Sequence, residues 1–486
     1  TNQNILYHGS ALLGDANGHD ILLMGALPID FLWGVSVSGH QVEGNNKDSD
    51  AWYAEHVPGG PFPEPSGNTV GHYTRYKEDL QVVKDIGLNS FRFSIEWSRV
   101  EPRQGSWSQE ALEHYKDVLL TCRAKGLTTI VTLHHFTSPM WFAAIGGFRK
   151  PSNAPLFARF VTKIIESFAH LIDYCCTMNE PNLTKMSMAT SGGGPPRGLF
   201  RFMAQTLLPR LAPLACPGDE STPPMTISRT GDVDTNDMML RNGRMAAAMC
   251  THFRCRPEDL GGPFPFVALG AEDEFMAGFA EAHKQAVQAI RAADREGRIK
   301  VGLTISMGGF HALCGGEAAL AEIHAETEDM VLDYVRESDC DFVGVQVYFE
   351  TPVGPDGPQH PETGEKTQMG YPFTPEGLEY AIRYAAQRSG CPVLITENGL
   401  ATEDDTRRVE FIHRAVLCVR RCVRDGISVL GYCYSSLFDT YEWSYGYFPK
   451  VGLVAVNRNS RNLDRHVKPS AHVLGRLART GGVSVD

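Results

Sequence analysis

Short apolar runs rich in β-branched and aromatic residues alternate along the chain with longer stretches whose apolar positions recur every three to four residues. The short runs predict strands at 31–36, 90–95, 129–134, 173–178, 301–306, 342–347, 393–396 and 428–434. The longer stretches predict helices at 73–86, 109–125, 155–170, 272–295, 326–337, 375–388, 405–424 and 469–479. Strand–helix alternation implies a parallel sheet with helical crossovers. Eight such units imply closure into a (β/α)₈ TIM barrel, in which catalytic groups gather at the C-terminal ends of the strands. Residues 192–270, rich in Gly, Pro and small side chains, interrupt the rhythm after the fourth strand. An insertion of that length at that place reads as a lid or binding loop on the active face. The expected organisation is an N-terminal extension over 1–30 and one barrel over 31–486.

Composition narrows the function. The 486 residues are 42% hydrophobic and 21% charged, an ordinary globular balance. A formal net charge of −12 argues against nucleic acid as a partner. There is no polybasic cluster for a membrane surface and no run of the roughly 18 apolar residues a membrane helix needs. The apolar stretch 21–27 is too short and is closed by Pro28 and Asp30, and the first 30 residues show no secretory signal pattern. The 12 cysteines include no C-x-x-C pair. Cys175, Cys176, Cys391 and Cys433 fall in or beside apolar runs and read as reduced thiols in the core, which points to a cytoplasmic setting. The glycines at 192–194 lack the Lys of a phosphate loop. No metal, nucleotide or flavin pattern is visible, so no cofactor is expected.

Two carboxylates carry the candidate chemistry. Glu180 follows strand four in Thr177-Met178-Asn179-Glu180-Pro181, and Glu397 follows strand seven in Ile395-Thr396-Glu397-Asn398-Gly399. Both would sit at the barrel mouth. One as nucleophile and one as acid/base would suit glycoside hydrolysis; each alone reads more readily as an ion-pair partner, and the pair in one barrel brings the two readings near balance.

The chain from Phe31 to about Gly475 resembles glycoside hydrolase family 1, the β-glucosidase-like retaining enzymes. The resemblance rests on Phe-Leu-Trp-Gly-Val at 31–35, Gln-Val-Glu-Gly at 41–44 and Phe-Arg-Phe-Ser-Ile-Glu-Trp-Ser-Arg at 91–99. It continues in Thr-Met-Asn-Glu-Pro at 177–181, Ile-Thr-Glu-Asn-Gly at 395–399, Phe-Asp-Thr-Tyr-Glu-Trp at 438–443 and Lys-Pro-Ser-Ala at 468–471. It implies Glu180 as acid/base, Glu397 as nucleophile, and Arg92 and Tyr348 as the nucleophile's partners. It also implies Gln41, His135, Asn179, Glu442 and Trp443 as ligands of the terminal sugar.

The resemblance has gaps. Ser435 stands where the family usually has a Trp platform under the sugar, Gln346 replaces an Asn, Phe136 a Trp and Thr440 an Asn. The glycone pocket is therefore expected to be unusual around Gln346, Phe136 and Ser435. Its extra space would be filled by a bulky glycone, an apolar aglycone, Phe136 or an aromatic of the insertion. Glu442 and Trp443 argue against the 6-phospho-sugar branch. The implied activity is a retaining β-glycosidase releasing terminal non-reducing β-linked sugars from small glycosides or oligosaccharides. The alternatives are a catalytically impaired carbohydrate-binding barrel and a transglycosidase.

Overall fold

The computed structural model describes residues 25–190, 235–268, 271–359 and 364–483. Its helices form where one face can be buried. In Ala154–Phe168, the side chains of Phe157, Phe160, Val161, Ile164, Ile165 and Phe168 all point into the core. That spacing is the apolar stripe of an amphipathic helix. Local signals set the ends of others. Ser108 caps Gln109–Ala124 by accepting from the Ala111 amide, Asp404 caps Asp405–Arg424 through the Thr406 amide, and Pro469 opens Pro469–Arg479.

Eight parallel strands lie inside this helical layer: β1 (Leu32–Ser36), β2 (Ser90–Ser94), β3 (Thr128–Thr132), β4 (Tyr174–Cys176), β5 (Lys300–Ser306), β6 (Phe342–Gln346), β7 (Val393–Asn398) and β8 (Val429–Ser435). Each pairs with its neighbours in chain order, and β8 pairs with β1 to close the barrel. A layer of Leu32, Ile130, Cys176, Phe342, Leu394 and Cys433 packs as one cluster contributed by six of the strands. At the C-terminal ends, register alone assembles a polar ring. Ser36 is level with both Arg92 and Ser435, and Gln346 is level with both Ser306 and Glu397.

Several expectations are revised. Strand four pairs over only three residues. The helix expected at 326–337 is two, Glu317–Thr327 and Asp329–Glu337. Within the expected 192–270 loop stands the helix Thr235–Phe253. Its Met245, Met249 and Cys250 pack with Ala54, Leu260, Tyr441 and Tyr447 beside the barrel mouth. Residues 192–234 and 269–270 of that expected loop lie outside the described residues, as do residues 1–24 of the expected extension. Two small rim sheets were not anticipated: a hairpin of Val454–Asn457 with Asp464–Val467, and a sheet of Phe310–Ala312, Thr351–Gly354 and Gly357–Pro358.

Cys175, Cys176 and Cys433 are buried free thiols and Cys391 is half-buried. Burial pushes the Cys433 thiol up to about 12. Among the described residues no helix is long and apolar enough to cross a membrane.

Candidate active site

Glu397 is the penultimate residue of β7, where the chain is clamped on both sides. Asn398 donates from Nδ2 to the Val347 carbonyl at 2.6 Å and accepts from the Tyr432 hydroxyl at 2.9 Å. The next residue must be glycine, since a Cβ at Gly399 would lie 1.9 Å from the Ser435 carbonyl oxygen. This packing draws the ends of β7 and β8 together and aims Glu397 into the mouth. Its Oε1 accepts from Arg92 Nη1 at 2.5 Å and Gln346 Nε2 at 3.0 Å. Its Oε2 accepts from the Tyr348 hydroxyl at 2.6 Å and the Ser435 hydroxyl at 3.2 Å.

Arg92 is fully buried. Besides Glu397 it donates to Ser36 Oγ at 2.9 Å and to Asn179 Oδ1 at 2.5 Å. Burial works against its cation, but the Glu397 carboxylate more than offsets that, so Arg92 is held above its ordinary value. An unpaired charge at this depth would be strongly destabilising, so Arg92 and Glu397 each require the other.

Asn179 and Glu180 are set by the chain leaving β4. The Asn179 amide donates to the His134 carbonyl and the Glu180 amide to the Thr304 carbonyl, at 2.8 and 3.1 Å. Glu180 adopts a left-handed backbone with φ +43°, a conformation an L-residue keeps only when its surroundings enforce it. Downstream, Asn182 Nδ2 donates to the Ser306 carbonyl at 2.8 Å. Asn179 Oδ1 accepts from Arg92, from Gln346 Nε2 at 2.8 Å and from Thr304 Oγ1 at 3.0 Å. The amide cannot be turned over without losing those donors. Nδ2 is therefore the group Asn179 presents to the cleft, 3.5 Å from Glu180 Oε2. Burial, and after it the charge of Glu397, push Glu180 up to about 8, against a smaller opposing hydrogen bond from the Ser306 side chain and the attraction of Arg92.

The residues expected to bind sugar converge on the same mouth. Gln41 donates to Glu442 Oε1 at 3.1 Å and to the Tyr441 carbonyl at 2.8 Å, while its own carbonyl oxygen accepts from Ser38. Burial and the charge of Glu397 push Glu442 up to about 8. His135 is buried, its ring held neutral by desolvation first and by Arg92 second, and its Nδ1 has no partner among the described residues. Trp443 stacks on His40 at 5.2 Å and takes the edge of Phe136 at 5.6 Å. Phe136 also packs against Phe264. Phe136 and Trp443 also have left-handed backbones, with φ of +67° and +51°. Thr440 Oγ1 donates to the Gln41 backbone carbonyl, so it fixes the main chain of a site residue.

Gln346 is fully buried and, with Ser435, contacts Glu397. Sequence reasoning had assigned both to the sugar pocket. It missed Ser36, His40, Thr304 and Ser306 altogether. Thr304 and Ser306 carried one usable signal: they are polar residues at alternate positions at the end of a strand whose preceding residues, Val301–Leu303, are apolar. Among the described residues no cluster of His, Cys, Asp and Glu could hold a metal ion.

Comparison with known proteins agrees with this geometry. The family model described as glycosyl hydrolase family 1 matches residues 23–207 and 341–483. The 1,4-beta-D-glucan glucohydrolase of Thermotoga neapolitana is 25% identical, over 95% of this chain and all of that protein. The galactolipid galactosyltransferase SFR2 of Arabidopsis thaliana is 26% identical over 84% of this chain but 57% of its own length. Among solved structures, beta-glycosidase BGL167 is 39% identical with a TM-score of 0.77, covering 93% of this chain and 97% of that one. Beta-glucosidase 1317 is 38% identical with a TM-score of 0.76, covering 92% and 98%. With its matched segments, its closed barrel and the two carboxylates at the mouth, the chain belongs to glycosyl hydrolase family 1, the β-glucosidase-like glycoside hydrolases.

Proposed function

We propose that the protein is a retaining β-glycosidase that removes a terminal non-reducing β-linked sugar from a small glycoside by double displacement. The observation that carries this reading is the division of labour between the two carboxyls. Glu180 holds its proton up to about 8, because it is buried and faces the charge of Glu397, while Glu397 is engaged as an acceptor by Arg92, Tyr348, Gln346 and Ser435.

In the first step a Glu397 carboxylate oxygen attacks the anomeric carbon. The bond from that carbon to the glycosidic oxygen breaks, its electron pair moves to that oxygen, and the oxygen takes the Glu180 proton. The aglycone leaves as an alcohol. In the second step water attacks the same carbon from the vacated side and gives a proton to the Glu180 carboxylate. The carbon–Glu397 bond breaks, and its electrons restore the Glu397 carboxylate. Asn179 Nδ2 would donate to the 2-hydroxyl of the sugar, a contact that strengthens as charge develops. Gln41, His135, Glu442 and Trp443 would hold the remaining hydroxyls and one face of the ring.

A second reading differs only in the acceptor. The relative in Arabidopsis thaliana is a galactosyltransferase by name, and a sugar hydroxyl in place of water would make this chain a transglycosidase. Mutagenesis tests the shared mechanism. Glu397→Ala should abolish turnover, and added azide should restore it with a glycosyl azide of inverted configuration as product. Failure of azide to rescue, with the variant folded, would remove Glu397 from the nucleophile's role. Product analysis with and without added acceptor sugars separates hydrolysis from transfer, and a cytoplasmic site of action belongs to the same proposal.

A further inference from the structure

Among the described residues, the Glu397 carboxylate is met by four side-chain donors, two on each oxygen. Arg92 and Tyr348 are the partners expected from the family pattern. The other two, Gln346 and Ser435, stand at positions where this sequence departs from it, and each has a hydrogen bond to the Glu397 carboxylate. Gln346 enters from the end of β6, fully buried, and uses both hydrogens of its amide: one on Glu397 Oε1 at 3.0 Å and one on Asn179 Oδ1 at 2.8 Å. Its own Oε1 has no partner among the described residues. Leaving a buried acceptor unpaired costs free energy, which the two donations of the same amide oppose. Ser435 enters from the end of β8 and places its hydroxyl 3.2 Å from Glu397 Oε2 and 3.4 Å from the Tyr348 hydroxyl. The phenolic proton is engaged at 2.6 Å, so the Ser435 hydroxyl donates its own proton to the carboxylate.

Hydrogen bonds of this kind favour the charged carboxylate over the neutral ester it becomes on bonding to the sugar. They act oppositely on the two chemical steps. The free carboxylate gains most, each transition state gains part, and the glycosyl ester gains least. Attack on the anomeric carbon is therefore slowed. The reverse change, in which the carbon–oxygen bond breaks and its electron pair returns to Glu397 as water adds, is speeded. The geometry points to Ser435 and Gln346 as additional catalytic residues that make Glu397 a good leaving group and keep the glycosyl-enzyme short-lived. This rests on Glu397 being the nucleophile, as proposed above.

The test uses the full chain and two probes, the 2,4-dinitrophenyl 2-deoxy-2-fluoro-β-glucoside and the corresponding galactoside. Their fluorine slows both steps so that the ester can be isolated. The labelled residue is located by peptide mass, excess probe is removed, and the return of activity is timed for wild type, Ser435→Ala and Gln346→Met. Loss of one donor should slow reactivation roughly tenfold while labelling proceeds as fast as in wild type or faster. With an unfluorinated dinitrophenyl substrate, the variants should gain a pre-steady-state burst and a lowered KM. A merely structural role would lower kcat/KM without moving reactivation. Reactivation at the wild-type rate in both variants, with the label on Glu397, would overturn the inference and leave double displacement standing. A label on another residue, or none with either probe, would overturn both. Gln346→Met keeps the side chain's length, so the two variants do not share one folding risk.

Discussion

The proton on Glu180 is the most consequential property of the site, and removing its carboxyl tests it directly. An ordinary glutamic acid with a value of 4.5 would be about 0.3% protonated at pH 7, whereas one held up to about 8 is about 90% protonated. The surroundings therefore supply about 300-fold more of the form that can protonate a leaving group. The direction is fixed by the cause. Burial and the Glu397 charge both oppose ionisation, so activity is retained through neutral pH and lost as pH rises past about 8. The assay is kcat/KM, which reports the free enzyme, measured from pH 5 to 9.5 on an aryl β-glycoside with a poor leaving group. The wild type should fall about tenfold per pH unit above its limb. In Glu180→Ala that limb should vanish and turnover of the poor substrate should collapse. A dinitrophenyl glycoside, which needs no proton, should still be attacked. A basic limb that survives in Glu180→Ala, or that lies near 4.5 in the wild type, would show that Glu180 is not the acid.

Other consequences follow from the same contacts. Glu180 is raised in the folded state, so both states are protonated below about 4.5 and stability is then full. It is lost as pH rises toward about 8, because the unfolded chain ionises while the folded one does not. Glu180→Gln should therefore raise stability by up to about 3 kcal/mol at pH 7 and by little at pH 4, read as a Tm difference by calorimetry across pH. Glu442 is pushed up to about 8 by burial and by Glu397, so below that pH it is neutral, and Glu442→Gln should change KM less than about threefold at pH 6. A tenfold rise at pH 6 would mean that a charged Glu442 binds the sugar. Arg92→Met removes hydrogen bonds to both Glu397 and Asn179, and should lower kcat/KM roughly 10²–10⁴-fold in a chain that still folds, as checked by circular dichroism and steady-state kinetics.

The architecture was legible because it is written in local periodicity. Asp405–Arg424 and Pro469–Arg479 match the expected helices residue for residue, since an apolar stripe, an Asp cap and an N-terminal Pro all act within a few positions of one another. The misses arose where a window mixed two regimes. The helix Thr235–Phe253 was submerged in the Gly- and Pro-rich composition of 192–270. Thr177 and Met178 continue the pattern of β4 but not its pairing with β3, because the chain there already turns to offer the Asn179 amide to His134.

Sequence by itself determined the barrel, the family and the strand ends on which Glu180 and Glu397 sit, because these depend on residue type and spacing along the chain. Only the tertiary structure decided what those carboxyls face. Arg92 reaches Glu397 across 305 positions of sequence, Gln346 reaches Asn179 across 167, and Ser435 reaches Glu397 across 38. Proton affinity and hydrogen-bond orientation are set by charge, burial and donors within a few ångströms. Those neighbours are chosen by strand register around a closed barrel, which is why Ser435 and Gln346, read in the sequence as parts of a sugar pocket, lie against Glu397.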